Sequence, residues 1–399
     1  MSFKKLLLIT ALSVFAVLSL AGCKKAGNNN ASSDADVLII GGQNPETGPI
    51  ADYGSKTVLG AQIAFEEINA NGGVNGKKIK FSHYDSRGEK TDAVNLTRRL
   101  LKENSCAIIG EITSGSFLAM RELASDGGTV AISTGATAEH VTEKRVGSGY
   151  EHIPFAFRNT LQDSDGALSL TKYLVHNKGF KKIALITSTN NEYSVGLSNF
   201  FRDAVKNAGG TVVMEQSIND GDTDVSAQIT SIKNSNVDAV IFTGYYQEAA
   251  RLLLAKQTQG LKAPLVGGDG FQSPDLWNIA GDAAVGAMFF TAFYAEIDSP
   301  NIQSFKTKML AKGKEADTFS AQGYDAAYLL VEAMKAANVT DCSDASQRDA
   351  IRAKLMEIKD FEGITGKMSI DATGSAIKEP FLLEVIKKSD GTFGTQRLN

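Results

Sequence analysis

Histidine and cysteine are both scarce. The four histidines (His83, His140, His152, His176) are scattered over 399 residues, and no two are spaced to share one face of a helix. A histidine-built metal centre or histidine-led nucleophile is therefore disfavoured, and neither a metal nor a cofactor is expected. Three cysteines, Cys23, Cys106 and Cys342, are too few for a disulfide scaffold, and a chain this long buries enough apolar surface to fold without one. No Gly-x-Ser-x-Gly elbow and no Gly-x-x-x-x-Gly-Lys-Ser/Thr loop is found. The first apolar run opens into residues 41–45 (GGQNP), which is not a dinucleotide-binding turn. With no catalytic residues marked, the chain is expected not to be an enzyme. Beyond Lys24 and Lys25 there is no basic cluster, and a formal charge of −4 argues against a nucleic-acid partner.

Long apolar runs are missing too, except one. Residues 6–20 follow Lys4 and Lys5 and lead into Ala21, Gly22 and Cys23. The run is shorter than the ~20 residues that span a bilayer. A basic start, a short apolar core and small residues before a cut site describe an export signal. Residues 20–23 (LAGC) look like a lipobox, so residues 1–22 are expected to be removed and Cys23 to carry a lipid. That would hold the protein on the periplasmic or cell-surface side of a bacterial membrane. Residues 23–36 are small and polar and read as a flexible tether. In such a compartment a Cys106–Cys342 disulfide is open, but sequence does not show proximity.

The rest alternates. Short apolar runs at 37–40, 79–81, 106–109, 129–132, 183–187, 212–214, 237–243 and 264–266 are separated by helical patterns at 60–71, 91–103, 166–178, 197–208, 225–234 and 248–259. Ala61, Ala64, Phe65 and Ile68, for example, share one helical face. Such alternation predicts an α/β fold with parallel sheets flanked by helices. Two blocks, 37–154 and 162–292, have similar build. In each, a loop holding a tyrosine (Tyr53, Tyr193) follows the opening strand. Three helical stretches (301–312, 320–337, 343–358) and short strand-like pieces (366–370, 380–387) complete the chain.

In open α/β sheets, ligands bind at the carboxyl ends of the strands. Three loops predicted there carry suitable chemistry. Residues 110–116 (GEITSGS) lead into a helix at 117–124. Ser114 or Ser116 is either a plain N-cap or, with the helix N–H groups, part of a carboxylate or phosphate site. Residues 133–137 (STGAT) form a second small hydroxylic loop. Residues 267–270 (GGDG) set Asp269 among glycines.

Together with residues 47–54 (TGPIADYG), 60–73 (GAQIAFEEINANGG), 191–196 (NEYSVG), Thr243-Gly244-Tyr245 and 361–368 (FEGITGKM), these segments resemble the periplasmic branched-chain amino-acid (leucine/isoleucine/valine) binding proteins of ABC transporters. The resemblance implies a two-lobed periplasmic-binding-protein fold of type I. Lobe 1 would be residues 37–158 plus 296–377, and lobe 2 residues 163–291 plus 380–399. The three crossings would lie near 159–162, 292–295 and 378–380. It implies an aliphatic amino acid in the interlobe cleft, with hinge closure, an ABC permease as partner and a monomeric state. It also implies roles. Ser114 and Thr137 would bind the ligand carboxylate, the Gly135 carbonyl would receive the ammonium, and Asp269 would be its acidic partner, where leucine-binding relatives more often carry glutamate. Tyr53, Tyr193, Tyr245 and Phe319 would form an aromatic wall, and Ile112, Thr113 and Ala136 would line the side-chain pocket. Some family members have a disulfide cysteine where this chain has Thr113, so that bridge is expected to be missing. The alternatives are the same fold tuned to another small amide, urea or aromatic acid, or a sensing module or extracytoplasmic enzyme.

Overall fold

The computed structural model describes residues 37–398, so the signal, the tether and Cys23 lie outside the described residues. The first lobe opens with β1 (Val37–Asn44), α1 (Ala51–Ala70), β2 (Lys78–Asp85), α2 (Lys90–Lys102), β3 (Ala107–Ile109), α3 (Ser114–Asp126) and β4 (Val130–Ser133). A hairpin of β5 (Glu143–Val146) and β6 (Gly149–His152) precedes β7 (Ala156–Arg158). The sheet order is β2-β1-β3-β4-β7, all parallel.

The chain then crosses to the second lobe. There it forms α4 (Asp163–Lys172), β8 (Lys182–Ser188), α5 (Glu192–Asn207), β9 (Thr211–Ile218), α6 (Ser226–Lys233), β10 (Ala239–Phe242), α7 (Tyr246–Gln259), β11 (Leu265–Gly267), α8 (Pro274–Ala280) and β12 (Met288–Thr291). It returns to the first lobe as α9 (Pro300–Ala311), α10 (Thr318–Ala336), α11 (Ala345–Glu357) and the short strands β13 (Phe361–Gly363), β14 (Gly366–Ile370) and β15 (Ala376–Ile377). A last crossing brings β16 (Phe381–Lys387) and β17 (Phe393–Arg397) to the second lobe, whose sheet order is β17-β16-β12-β11-β10-β8-β9. The expected α/β class is the observed one. The second sheet is mixed rather than purely parallel, because β16 and β17 pair antiparallel. Central strands such as β3, β4 and β10 are buried along their whole length, which is why they read as unbroken apolar runs.

Two helices begin earlier than their apolar periodicity. The α1 helix starts at Ala51, not near residue 60, and α5 at Glu192, not near residue 197. Tyr53 and Tyr193 therefore sit in first helical turns instead of loops. The early turn of α1 is polar in sequence yet buried at Tyr53, Gly54, Lys56 and Thr57. Its partner there is α10. A Cβ on Gly60 would meet the Ser320 carbonyl oxygen at 1.9 Å, and one on Gly323 would meet that of Thr57 at 2.2 Å. Glycine at both places lets the two backbones touch.

Lys56, almost fully buried, lies 2.9 Å from both Asp52 and Asp317. Burial pulls the lysine pKa down, but the two carboxylates outweigh it and hold the pKa raised. Asp317 also caps α10 through a reciprocal pair of bonds with Ser320. This buried triad fixes the starts of α1 and α10 side by side. Cys106 and Cys342 are bonded, with a Cα–Cα distance of 4.9 Å, and tie the start of β3 to the segment between α10 and α11. Among the described residues no helix is long and apolar enough to cross a membrane, and no cluster of potential metal ligands occurs.

Candidate functional site

Because α1 and α10 start together, Tyr53 and Phe319 meet with ring centroids 4.2 Å apart. The Tyr53 hydroxyl reaches the other lobe. It donates to the Gly270 carbonyl and accepts from the Tyr246 N–H at 3.3 Å. The Tyr53 ring also stands edge-on to Tyr245 and Tyr246. Ser273 donates to Asp52 at 2.7 Å, and Lys90 pairs with Glu192 across the cleft mouth. The lobes are thus closed on each other. The Lys90–Glu192 pair is half exposed and adds little; the buried contacts of Tyr53 carry more.

Between the lobes lies a small cavity, lined by Tyr53, Ile112, Thr113, Ser114, Gly135 and Phe319 from the first and Tyr193, Tyr245, Asp269 and Gly270 from the second. Nine of the eleven ligand-binding candidates read from sequence are among these. Ala136 and Thr137 are not. Ala136 packs into the first lobe's core beside Phe117 and Met120. Thr137 is fully buried, and its backbone carbonyl accepts from the N–H of Asp163 at 2.9 Å. Neither serine caps α3. Thr113 does, its hydroxyl accepting from Ser116 N–H at 3.4 Å. Ser114 is the first helical residue; its Oγ accepts from the Ala138 N–H at 3.3 Å, leaving its own proton to donate. A Cβ on Gly135 would come within 2.5 Å of Ile112, so glycine permits the close approach of these two loops.

Asp269 follows β11 and is buried. Tyr193 donates to its carboxyl at 3.0 Å, and the Tyr193 ring stacks parallel on Tyr245 at 5.5 Å. Burial pushes the Asp269 pKa up to about 7, although the Tyr193 hydrogen bond opposes the shift.

Three residues near this cavity were not found from sequence. Gly270 offers only a backbone carbonyl, which no sequence pattern marks. Arg158, at the end of β7, is buried. Its guanidinium donates to the carbonyls of Ala136, Thr137 and Ala138 at 3.3, 3.0 and 2.8 Å and to Ser375 at 3.0 Å, so it shapes the loop that carries Gly135. Asp163, the first residue of α4, is fully buried with neither carboxyl oxygen hydrogen-bonded. The Thr137 hydroxyl lies beside it without a well-aligned bond. Burial and then the nearby Asp269 push the Asp163 pKa well up, against the pull of Thr137 and Arg158. In sequence it is one acid in the QDSD run at a helix start, where acids are ordinary.

The cavity thus has hydroxyl and helix-start N–H donors on one lobe, the Asp269 carboxyl on the other, and rings between. Neither lysine nor arginine lines it. Such an arrangement can pair with both a cationic and an anionic end of a small molecule. If Tyr53 bridges the lobes as described, Tyr53→Phe leaves the Gly270 carbonyl and Tyr246 N–H of the closed form short of a partner. An increase in ligand Kd of roughly tenfold is expected, about 1.4 kcal/mol, with unchanged thermal unfolding of the ligand-free protein. An unchanged Kd would remove this bond from closure.

Two lobes closed over a small cleft suit the capture of a small ligand. The chain belongs to the periplasmic binding protein family, whose model matches residues 38–391. It has the type I fold and, like its family, works outside the cytoplasm and is not an enzyme. A Leu/Ile/Val-binding protein of Rhizobium johnstonii is 32% identical over 349 residues, 87% of this chain and 90% of that one. The Leu/Ile/Val-binding protein of Escherichia coli K12 is 30% identical over 271 residues, covering 67% of this chain and 71% of its own. A branched-chain amino acid transporter substrate-binding protein of Streptococcus pneumoniae, solved with isoleucine, superposes with a TM-score of 0.81 at 30% identity, covering 91% of this chain and 99% of that one.

Proposed function

We propose that this protein is the substrate-binding component of an ABC importer and takes a branched-chain or related aliphatic amino acid. The observation that carries this reading is Asp269. It is a buried carboxyl from one lobe facing helix-start donors at Ser114 on the other, across a cavity walled by Tyr53, Phe319 and Ile112. A zwitterion satisfies both ends, since a buried charge without a partner is costly. The apolar wall favours an aliphatic side chain over a charged one. Closure of the lobes over the ligand turns binding into the signal that the permease reads. Calorimetric titration of the ligand-stripped protein with an amino-acid panel tests the reading. Saturable binding of leucine, isoleucine or valine with charged amino acids silent is expected. Silence from every aliphatic amino acid would hand the cleft to a different ligand class.

The protein is further proposed to be a monomer, held at the membrane by a lipid on Cys23. Cys23→Ser is expected to yield unacylated protein that leaves the membrane fraction. Processed Cys23→Ser protein that still sediments with membranes would rule out the lipid anchor.

A further inference from the structure

The loop that carries Ser114 is held from behind by a buried acid. Glu111, two residues past β3, is fully buried and does not line the cavity. One carboxyl oxygen accepts from the Ser86 hydroxyl at 3.0 Å, and the other has no hydrogen-bond partner. Ser86 opens the turn after β2. Its N–H donates to the Asn44 carbonyl at 3.1 Å, and its carbonyl accepts from the Glu89 N–H at 2.9 Å. The same turn holds the start of α3, because the Ser116 hydroxyl donates to the Gly88 carbonyl at 3.2 Å. On the other side, the Glu111 backbone carbonyl accepts from the Ser133 hydroxyl at 2.6 Å. That hydroxyl in turn accepts from the Ala136 N–H at 3.0 Å. One residue thus joins the loops after β2, β3 and β4. The residues that follow it, Ile112, Thr113 and Ser114, all line the cavity.

We propose that Glu111 is a positioning residue for ligand binding: its uncharged carboxyl, anchored on Ser86, sets the loop that presents Thr113 and Ser114 to an anionic group of the ligand. The proposal rests on the amino-acid reading of the cleft, which puts the ligand carboxylate at that loop. An ionised Glu111 would be a buried charge with a single hydrogen bond, which is costly. It would also set a negative charge three residues from the donors meant for an anion. Burial accordingly pushes the Glu111 pKa up to about 8, against the pull of Ser86. The charged groups facing it, Asp85 at the end of β2 and Asp92 in the first turn of α2, are acidic and add to the shift. Asp92 is itself paired with Arg87.

The folded protein keeps this proton up to about pH 8, whereas the unfolded chain loses it near the ordinary value of 4.5. The contribution of Glu111 to stability therefore falls as pH rises between those values and is level above pH 8. Glu111→Gln, neutral at every pH, escapes that fall, as it would for any buried acid. Ligand affinity separates positioning from burial alone, because only a positioning role weakens binding as the folded group ionises.

Titration with leucine from pH 6.5 to 9.5, in wild type and in Glu111→Gln, is the first test. The ratio of the wild-type Kd to that of Glu111→Gln should be level below pH 8 and rise toward tenfold per pH unit above it. Ionisation of leucine and of Asp269 affects both proteins alike and cancels in the ratio. At pH 7, Glu111→Ala should raise the Kd at least tenfold, and Glu111→Gln should restore it. Hydrogen exchange of the ligand-free proteins, corrected for the intrinsic rate, is the second test. Protection of residues 112–116 should drop at least fivefold in wild type between pH 7 and pH 9, and hold in Glu111→Gln. Parallel Kd curves, or equal protection in the two proteins at pH 9, would overturn the proposal. Failure of leucine to bind wild type at pH 7 would sink the amino-acid reading instead, and the exchange experiment, which needs no ligand, would still decide whether Glu111 sets the loop.

Discussion

Replacing Asp269 with alanine is expected to raise the Kd for the amino-acid ligand by roughly 10²–10⁴-fold, a loss of ~3–5 kcal/mol. The size comes from what is left behind. Asp269 is buried, Tyr193 holds it in place at 3.0 Å, and no other carboxyl group lines the cavity. Without it, an ammonium closed into the cleft has no carboxyl partner on the cavity wall, and the Tyr193 hydroxyl loses its acceptor. Asp269→Asn keeps the shape and should lose affinity to a lesser degree, which separates charge from packing. Calorimetry on both variants, with thermal unfolding as a check on folding, decides the matter. A Kd within threefold of wild type for the alanine variant would remove Asp269 from the site.

The second large effect concerns stability. Cys106 and Cys342 are 236 residues apart and close a loop that takes in the whole continuous part of the second lobe. In the chain-entropy account, a loop of that length stabilises the fold by ~5–6 kcal/mol. Both sulfurs lie in the first lobe's apolar core, so the reduced pair is sheltered and opening should follow unfolding. Cys106→Ala with Cys342→Ala is expected to lower the unfolding midpoint by ~5–8 °C. Leucine affinity at 25 °C should change little, since neither residue lines the cleft. Equal midpoints for the wild-type and double-alanine proteins would show that the bond contributes nothing net. Scans with and without reductant, with free thiols counted, place the oxidised form.

The alternation of strands and helices was open to reading because burial is repetitive. A strand covered on both faces, such as β8 or β10, needs apolar residues throughout, and a run of them survives in the sequence as a signal. The helix starts were not. The first two turns of α1 contain Lys56 and Thr57, and their buried partners are Asp317 and Phe319, more than 250 positions away. The same reason hid Asp163. An acid at a helix start looks solvated until the fold brings Thr137 and Asp269 around it. Thr113 and Ser114 were both read as site residues, but hydroxyl neighbours in a row do not say which one caps the helix. Ala136 and Thr137 adjoin a glycine that lines the cavity, and one residue of displacement along a loop turns a side chain from cleft to core.

The path of the chain between lobes imposes an order of assembly. A chain that emerges amino end first delivers the five parallel strands of the first sheet early, but α10, which packs glycine to backbone on α1, comes some 250 residues later. Until then the stripe of α1 that faces α10, at Tyr53, Thr57 and Gly60, lacks that cover. The second lobe lacks only its last two strands and has its own core. It can gather its helices while the first waits. Long-range closure of this kind is slow, and the exposed stripe in the meantime is a surface for folding helpers or for aggregation. A variant that folds poorly after a change in α10 would therefore show its defect in yield before it showed it in binding.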